Sequence, residues 1–196
     1  FQVQKIGRKS VPKEIKMITG WSRTVRKEGI VALEKQFLSM SKPDPFLLYS
    51  CELLTGNYSS EDLRKMLLSS VETTYIRNSI PAKILRQMGS ASPAFGMIGT
   101  LIGLVIMLDS IGANMSSLGK GMSLALLTTL YGVLFARLLL MPAAEKSQEK
   151  QNIERWRNHL IVEGFVALAE NKSEHQIIDQ LNGLIDPQMQ YRRNKD

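Results

Sequence analysis

The sequence predicts an all-α protein built around a membrane-spanning helical hairpin, and three observations carry that prediction. Residues 87–108, QMGSASPAFGMIGTLIGLVIML, hold no charge. At about 1.5 Å per helical residue they reach roughly 33 Å, enough to cross a hydrocarbon core of about 30 Å. A second apolar stretch at 121–143, GMSLALLTTLYGVLFARLLLMPA, follows after only DSIGANMSSLGK, so the two pair as a hairpin. Elsewhere apolar residues recur with helical period and nothing alternates with period two for long. This places a helical cytoplasmic region at 1–86, the hairpin at 87–144 with spans near 90–109 and 121–142, and a helical cytoplasmic tail at 145–196.

The first element is a helix over 13–37, where Ile15, Ile18, Trp21, Val25, Leu33 and Phe37 recur among charged residues and leave a polar opposite face. The stretch SKPDP at 41–45 breaks it, since Pro43 and Pro45 disfavour helix on both sides. A short helix is predicted at 46–54. Ser59 followed by Asp62 resembles a capping box, with Asp in place of the usual Glu, and opens a helix that runs toward the membrane. Pro81 should bend or divide that helix. After the hairpin, 143–170 reads as helix with Ile153, Trp156, Leu160 and Phe165 as its stripe, and a last helix at 174–185 stops before Pro187.

Charge orients the hairpin. Of 25 Lys and Arg residues, only Lys120 and Arg137 lie within 109–144, so the positive-inside rule places both ends of the chain in the cytoplasm. Arg137 interrupts the second span near its end, where a long side chain snorkels to the headgroups. The net charge of +7 serves topology. No aromatic-interleaved basic stripe points to nucleic acid. Cys51 alone allows no intrachain disulfide, and His159 and His175 cannot supply a histidine-rich metal site. No nucleophile-base pair or phosphate loop supports an enzyme, and no cofactor is expected. A start at Phe1 without methionine reads as a piece of a longer protein.

Small residues mark one face of each span: Ser92, Gly96, Gly99 and Gly103, then Gly121, Ala125, Thr129, Gly132 and Ala136. Spacings of three and four align them, and Gly99 with Gly103 forms a GxxxG pair that lets backbones approach. Thr100 and Thr129, each eight residues from its outer helix end, are expected at one depth about 12 Å in, with Thr128 beside them. Each hydroxyl could simply bond its own helix at i−4. A hard cation such as sodium instead wants neutral oxygens of this kind. Neither span carries a central carboxylate, so a partner must supply any titrating acid.

PAFGMIGTLIGLVIML, GMSLALLTTLYG and the later MP before AAEK resemble the third and fourth membrane helices of the flagellar stator A subunits, the MotA/PomA family. VRKEGIVALE resembles that family's cytoplasmic segment, and LIVEGFVALAENKSEHQIIDQL its C-terminal tail. The resemblance implies a four-membrane-helix subunit whose first two helices precede this sequence. It further implies a homopentamer around a dimer of a MotB/PomB-like B subunit bearing the membrane aspartate, surrounded by membrane lipid and turning a FliG-like rotor protein. By the same resemblance Pro93 and Pro142 match prolines at the cytoplasmic ends of the paired helices. Thr100 and Thr129 match hydroxyls of sodium-type members, so transported sodium is expected, with the proton as alternative. Arg26, Lys27 and Glu34 match the rotor-contacting charges. Arg137 and Lys120 depart from the pattern, the first replacing an uncharged residue and the second a loop proline. Two other readings stay open: an ExbB/TolQ-like proton channel subunit, and a scaffold whose hairpin only oligomerises.

Overall fold

The computed structural model describes residues 2–39, 44–109, 115–185, 187, 190 and 191, and the side chains of all of these but 2–12 and 115–117. Among them the secondary structure is helical throughout: α1 Gln2–Glu28, α2 Ile30–Leu38, α3 Pro45–Thr55, α4 Ser60–Asn78, α5 Ile80–Asp109, α6 Met115–Leu134, a π-helical turn Phe135–Leu140, α7 Met141–Ala169 and α8 Glu174–Asn182. They form two compact units. One joins Phe1–Ile76 to Asn152–Asp196, and the other is Arg77–Gln151. The partition thus differs from one drawn at 86 and 144, because the chain's two ends build a single core.

That core is apolar and closed. Ile15, Ile18, Leu33, Leu63, Leu67, Leu160, Ile161, Phe165, Ile177 and Leu181 are each at most 1% exposed, and burial of such side chains is worth about 1.5–3 kcal/mol apiece. Trp21 stands edge-on to Phe37, centroids 5.0 Å apart, and tilts on Phe165 at 5.6 Å. Arg157 on α7 ties distant segments together: Nε donates to Glu14 Oε1 on α1 at 2.8 Å, and Nη1 to Asp44 Oδ2 at 2.7 Å. Burial works against the Arg157 charge, yet the bonds to Asp44 and Glu14 outweigh it and hold its pKa above the ordinary arginine value.

Local chemistry sets the helix ends. The predicted single helix over 13–37 is two helices, because Gly29 adopts φ +85°, ψ 170°, a conformation open essentially to glycine alone. Pro45 begins a helix rather than ending one: it sits at the first helical position of α3, with Asp44 as N-cap accepting from the Phe46 N–H at 2.9 Å. Pro43 lies outside the described residues. At Ser59 the hydroxyl oxygen accepts from the Asp62 N–H at 3.1 Å, while its O–H donates to the Asp62 carboxylate at 2.7 Å. Pro81 divides the next stretch as expected, with a turn at Ser79 between α4 and α5. Asn171, at φ 52°, closes α7 in a Schellman turn: Lys172 N–H bonds Ala167 O and Asn171 N–H bonds Leu168 O, both at 3.0 Å. Ser173 and Gln176 then form a capping box for α8, which stops at Asn182, short of 185.

In the second unit, α5 and α6 pair along much of their lengths. Their most apolar windows are only 11% and 17% buried within the chain. Helices so apolar yet so exposed suit a lipid surround better than a soluble core. The second span starts at Met115 rather than 121, and residues 110–114 of the linker lie outside the description. Neither proline ends its helix. Pro93 stands inside α5, where it forgoes one i→i−4 bond and the helix continues, as spanning helices tolerate. Pro142 lies just after the π-turn, in which the Met141 N–H reaches back five residues to Ala136 O. The wider turn carries the helix past a residue that has no N–H to give to the carbonyl four back.

Candidate functional site

Glycines set the seam between α5 and α6. A Cβ on Gly103 would lie 2.9 Å from Ala125 Cβ and 3.0 Å from both the Ala125 N and the Gly121 O. One on Gly121 would meet Met107 Cβ at 2.9 Å and Gly103 O at 3.1 Å. A Cβ on Gly96 would lie 3.0 Å from Thr128 O and 3.5 Å from Gly132 Cα, and one on Gly132 would lie 2.9 Å from Ser92 O. Gly99 is filled from across the seam by the Thr128 side chain, 2.7 Å from where its own Cβ would be. Gly96, Gly103, Gly121, Ala125 and Gly132 therefore belong to one close contact of backbones, with Gly99 making room for the Thr128 side chain, the geometry that small residues permit between membrane helices.

This register puts Thr128 opposite Gly99. Thr100 and Thr129 thus lie within about one helical turn of each other in depth. Their hydroxyls are in different states. Thr100 Oγ1 donates to Met97 O at 2.6 Å and Thr128 Oγ1 to Ala125 O at 2.9 Å, both bonds within their own helices at i−3. Thr129 Oγ1 is buried and has no hydrogen-bond partner. Sequence spacing groups the three threonines but cannot single out Thr129, because a side-chain bond back to the helix depends on rotamer. No His, Cys, Asp or Glu cluster suited to a resident metal occurs among the described residues.

The three charged residues have different surroundings. Arg26 Nη2 donates to Asn171 O at 3.0 Å, tying the end of α1 to the α7–α8 turn. Beside it Arg23 makes a two-pronged pair with Glu174, which raises its pKa. Lys27 is exposed next to the Gly29 break. Glu34, beyond that break, is half-buried and its charge acts on Cys51 of α3. The positive φ of Gly29 separates Arg26 from Glu34, and periodicity through 13–37 gives no sign of it.

The model of the MotA/TolQ/ExbB proton channel family matches residues 39–158. Motility protein A of Cereibacter sphaeroides is 33% identical over 172 residues, covering 88% of the chain and 66% of that protein. Chemotaxis protein PomA of Vibrio alginolyticus is 29% identical over 172 residues, with the same 88% and 66% coverage. The flagellar MotAB stator complex from Bacillus subtilis superposes with a TM-score of 0.74 at 29% identity, covering 85% of this chain and 64% of the matched one. The chain therefore spans about two thirds of the length of these relatives.

Proposed function

The chain belongs to the MotA/TolQ/ExbB proton channel family, as a subunit of MotA/PomA type, and from that premise we propose that it is the A subunit of a sodium-driven flagellar stator. That family is one of ion-channel subunits. In this reading, copies of the protein, a homopentamer, surround a MotB/PomB-like dimer in the inner membrane, with both ends of the sequence in the cytoplasm. Ions pass between ring and dimer, the ring turns, and the corner at Arg26 and Lys27 presses on a FliG-like rotor protein. Glu34 contributes through its own face of α2, on the far side of Gly29.

The observation that carries the reading is Thr129. A buried hydroxyl left unbonded costs about 1–3 kcal/mol, and in this reading a slight opening of the α5–α6 seam in the assembled ring lets an ion bond it. Hard cations take neutral oxygens, and a hydroxyl that donates to its own helix, as Thr100 and Thr128 do, still offers lone pairs outward. The described parts of both spans hold no central carboxylate, so the B subunit supplies the acid. A proton would need only that acid, which is why the oxygens favour sodium.

The test is swimming speed against external sodium at fixed pH and ionic strength, for the parent, Thr129→Val and Thr100→Val. Speed that saturates with sodium in the parent, with a raised requirement or arrest in Thr129→Val, is the expected result. A parent equally fast without sodium would leave a proton-driven stator. A strain that swims normally without the protein but loses energised outer-membrane uptake would point to the ExbB/TolQ-like role.

A further inference from the structure

We propose that Glu72, Tyr75, Asn152, Arg155 and His159 form a force-transmitting clamp, which fastens the strand leaving the core unit for the hairpin to the strand returning from it. The proposal rests on the stator reading and adds to it the residues that pass torque between hairpin and core. The chain leaves the core unit after Ile76 and re-enters it at Asn152. These two connections differ in kind. The returning one is a single rod, since α7 runs unbroken from Met141 to Ala169. The outgoing one is jointed: α4 ends at Asn78, Ser79 makes a turn, and Pro81 has no N–H to give to the Arg77 carbonyl. A jointed strand under load bends at its joint, so it carries force only where it is pinned to the rod.

The pins sit in the last two turns of α4. Glu72 takes Arg155 in a two-pronged pair, Nε donating to Oε1 at 2.9 Å and Nη2 to Oε2 at 2.8 Å, and His159 Nε2 lies 3.2 Å from the same Oε1. The Arg155 guanidinium also stands over the Tyr75 ring, 4.5 Å from its centroid, while the Tyr75 O–H donates to Asn152 Oδ1 at 2.9 Å. Asn152, Arg155 and His159, spaced by three and four, share one face of α7, as Glu72 and Tyr75 share one face of α4. A lone exposed ion pair would be too weak to serve as a pin. Here the fork fixes the angle between Arg155 and Glu72 as well as their distance, and the ring of Tyr75 backs the guanidinium. Just beyond the exit, Gln148 Nε2 donates to Ser79 Oγ at 3.4 Å and adds a further rung at the joint itself. None of the five clamp residues belongs to the apolar core, so the fold does not depend on them in the way that transmission does.

The test separates assembly from transmission. In cells lacking their own stator, rotation of a bead on the motor is followed while the full-length protein and its partner are induced, so that speed rises stepwise as stators engage. The number of steps reads assembly, and the height of a step at high load reads the torque of one stator. Arg155→Gln and Tyr75→Ala should lower the step height while leaving the number of steps and the sodium dependence of speed as in the parent. Arg155→Lys keeps the charge but loses the fork, so it should not restore the height. Glu72→Arg combined with Arg155→Glu rebuilds the pair and should recover most of it. Full step height in both Arg155→Gln and Tyr75→Ala overturns the proposal. Fewer steps of unchanged height overturn it as well, because the five residues would then serve folding alone. A parent that produces no steps at all refutes the stator reading, and the clamp's role falls with it. Should neither variant reach the membrane, Glu72→Gln, which keeps the side chain's shape and weakens the fork, decides by the same two readings.

Discussion

The Thr129 hydroxyl is a place where stability and function should part. Thr129→Val keeps the branched shape and removes an oxygen that is buried without a partner, so thermal stability of the detergent-solubilised protein should hold or rise by about 1 kcal/mol while sodium-driven rotation falls. A stability loss of that size would mean the hydroxyl is bonded. At Gly103 the reverse holds: a methyl would meet backbone at 3.0 Å on two sides, so Gly103→Ala should cost about 1–3 kcal/mol in hairpin stability. Gly99→Ala would put its methyl 2.7 Å from Thr128 Cβ, an atom that no rotamer change moves away, and should cost at least as much. Cys51 gives a pH signature. Desolvation, with a smaller push from the Glu34 charge, raises its pKa to about 11. The folded state therefore keeps the proton from roughly pH 9 to 11 while the unfolded chain releases it, so stability falls as pH rises through that window. Cys51→Ala should flatten this part of a stability-pH profile, and the wild-type thiol should resist labelling at neutral pH until the protein unfolds.

Helix identity was legible where period and caps agree, and illegible where one backbone angle decides. The apolar lengths of α5 and α6, the Ser59 cap, the break before Pro81 and the stripe of α7 follow from residue type and spacing. So does the glycine seam, because GxxxG spacing and antiparallel pairing leave few registers. The α1–α2 break does not follow, since Ile15 through Phe37 keeps helical period across Gly29 and a glycine inside a helix carries no mark of its φ. The π-turn at Phe135–Leu140 is hidden for a similar reason: Pro142 signals a missing donor, and whether the helix stops or widens depends on packing. Likewise no spacing rule tells that Arg26 is engaged by the Asn171 carbonyl. Gly29→Ala tests the break. Nothing lies within 4 Å of the added methyl, so any loss comes from φ +85° alone and should be about 1–3 kcal/mol in the melting of the folded protein. An unchanged melting temperature would mean α1 and α2 can join.

The two chain ends make one unit and the hairpin is inserted between them, so folding of the water-facing core depends on contacts between residues over 100 apart in sequence. Trp21 on Phe165 and Arg157 on Glu14 and Asp44 are such contacts. Phe165→Ala should cost about 3–5 kcal/mol and shift Trp21 emission to the red, because the cavity opens beside the indole. The same insertion requires an even number of crossings between the ends, and the described part of the chain has two candidate spans. By the positive-inside rule, the excess of cations at the hairpin base predicts that both ends lie in the cytoplasm. In a Cys51→Ser background, Lys120→Cys should react with an impermeant thiol reagent added outside intact cells, and Lys150→Cys should react only after the membrane is opened. Both side chains are exposed, so silence cannot be blamed on burial. Labelling of Lys150→Cys from outside would invert the hairpin, put the Arg26 corner on the side away from any cytoplasmic rotor, and end the stator reading at the scale of the whole molecule.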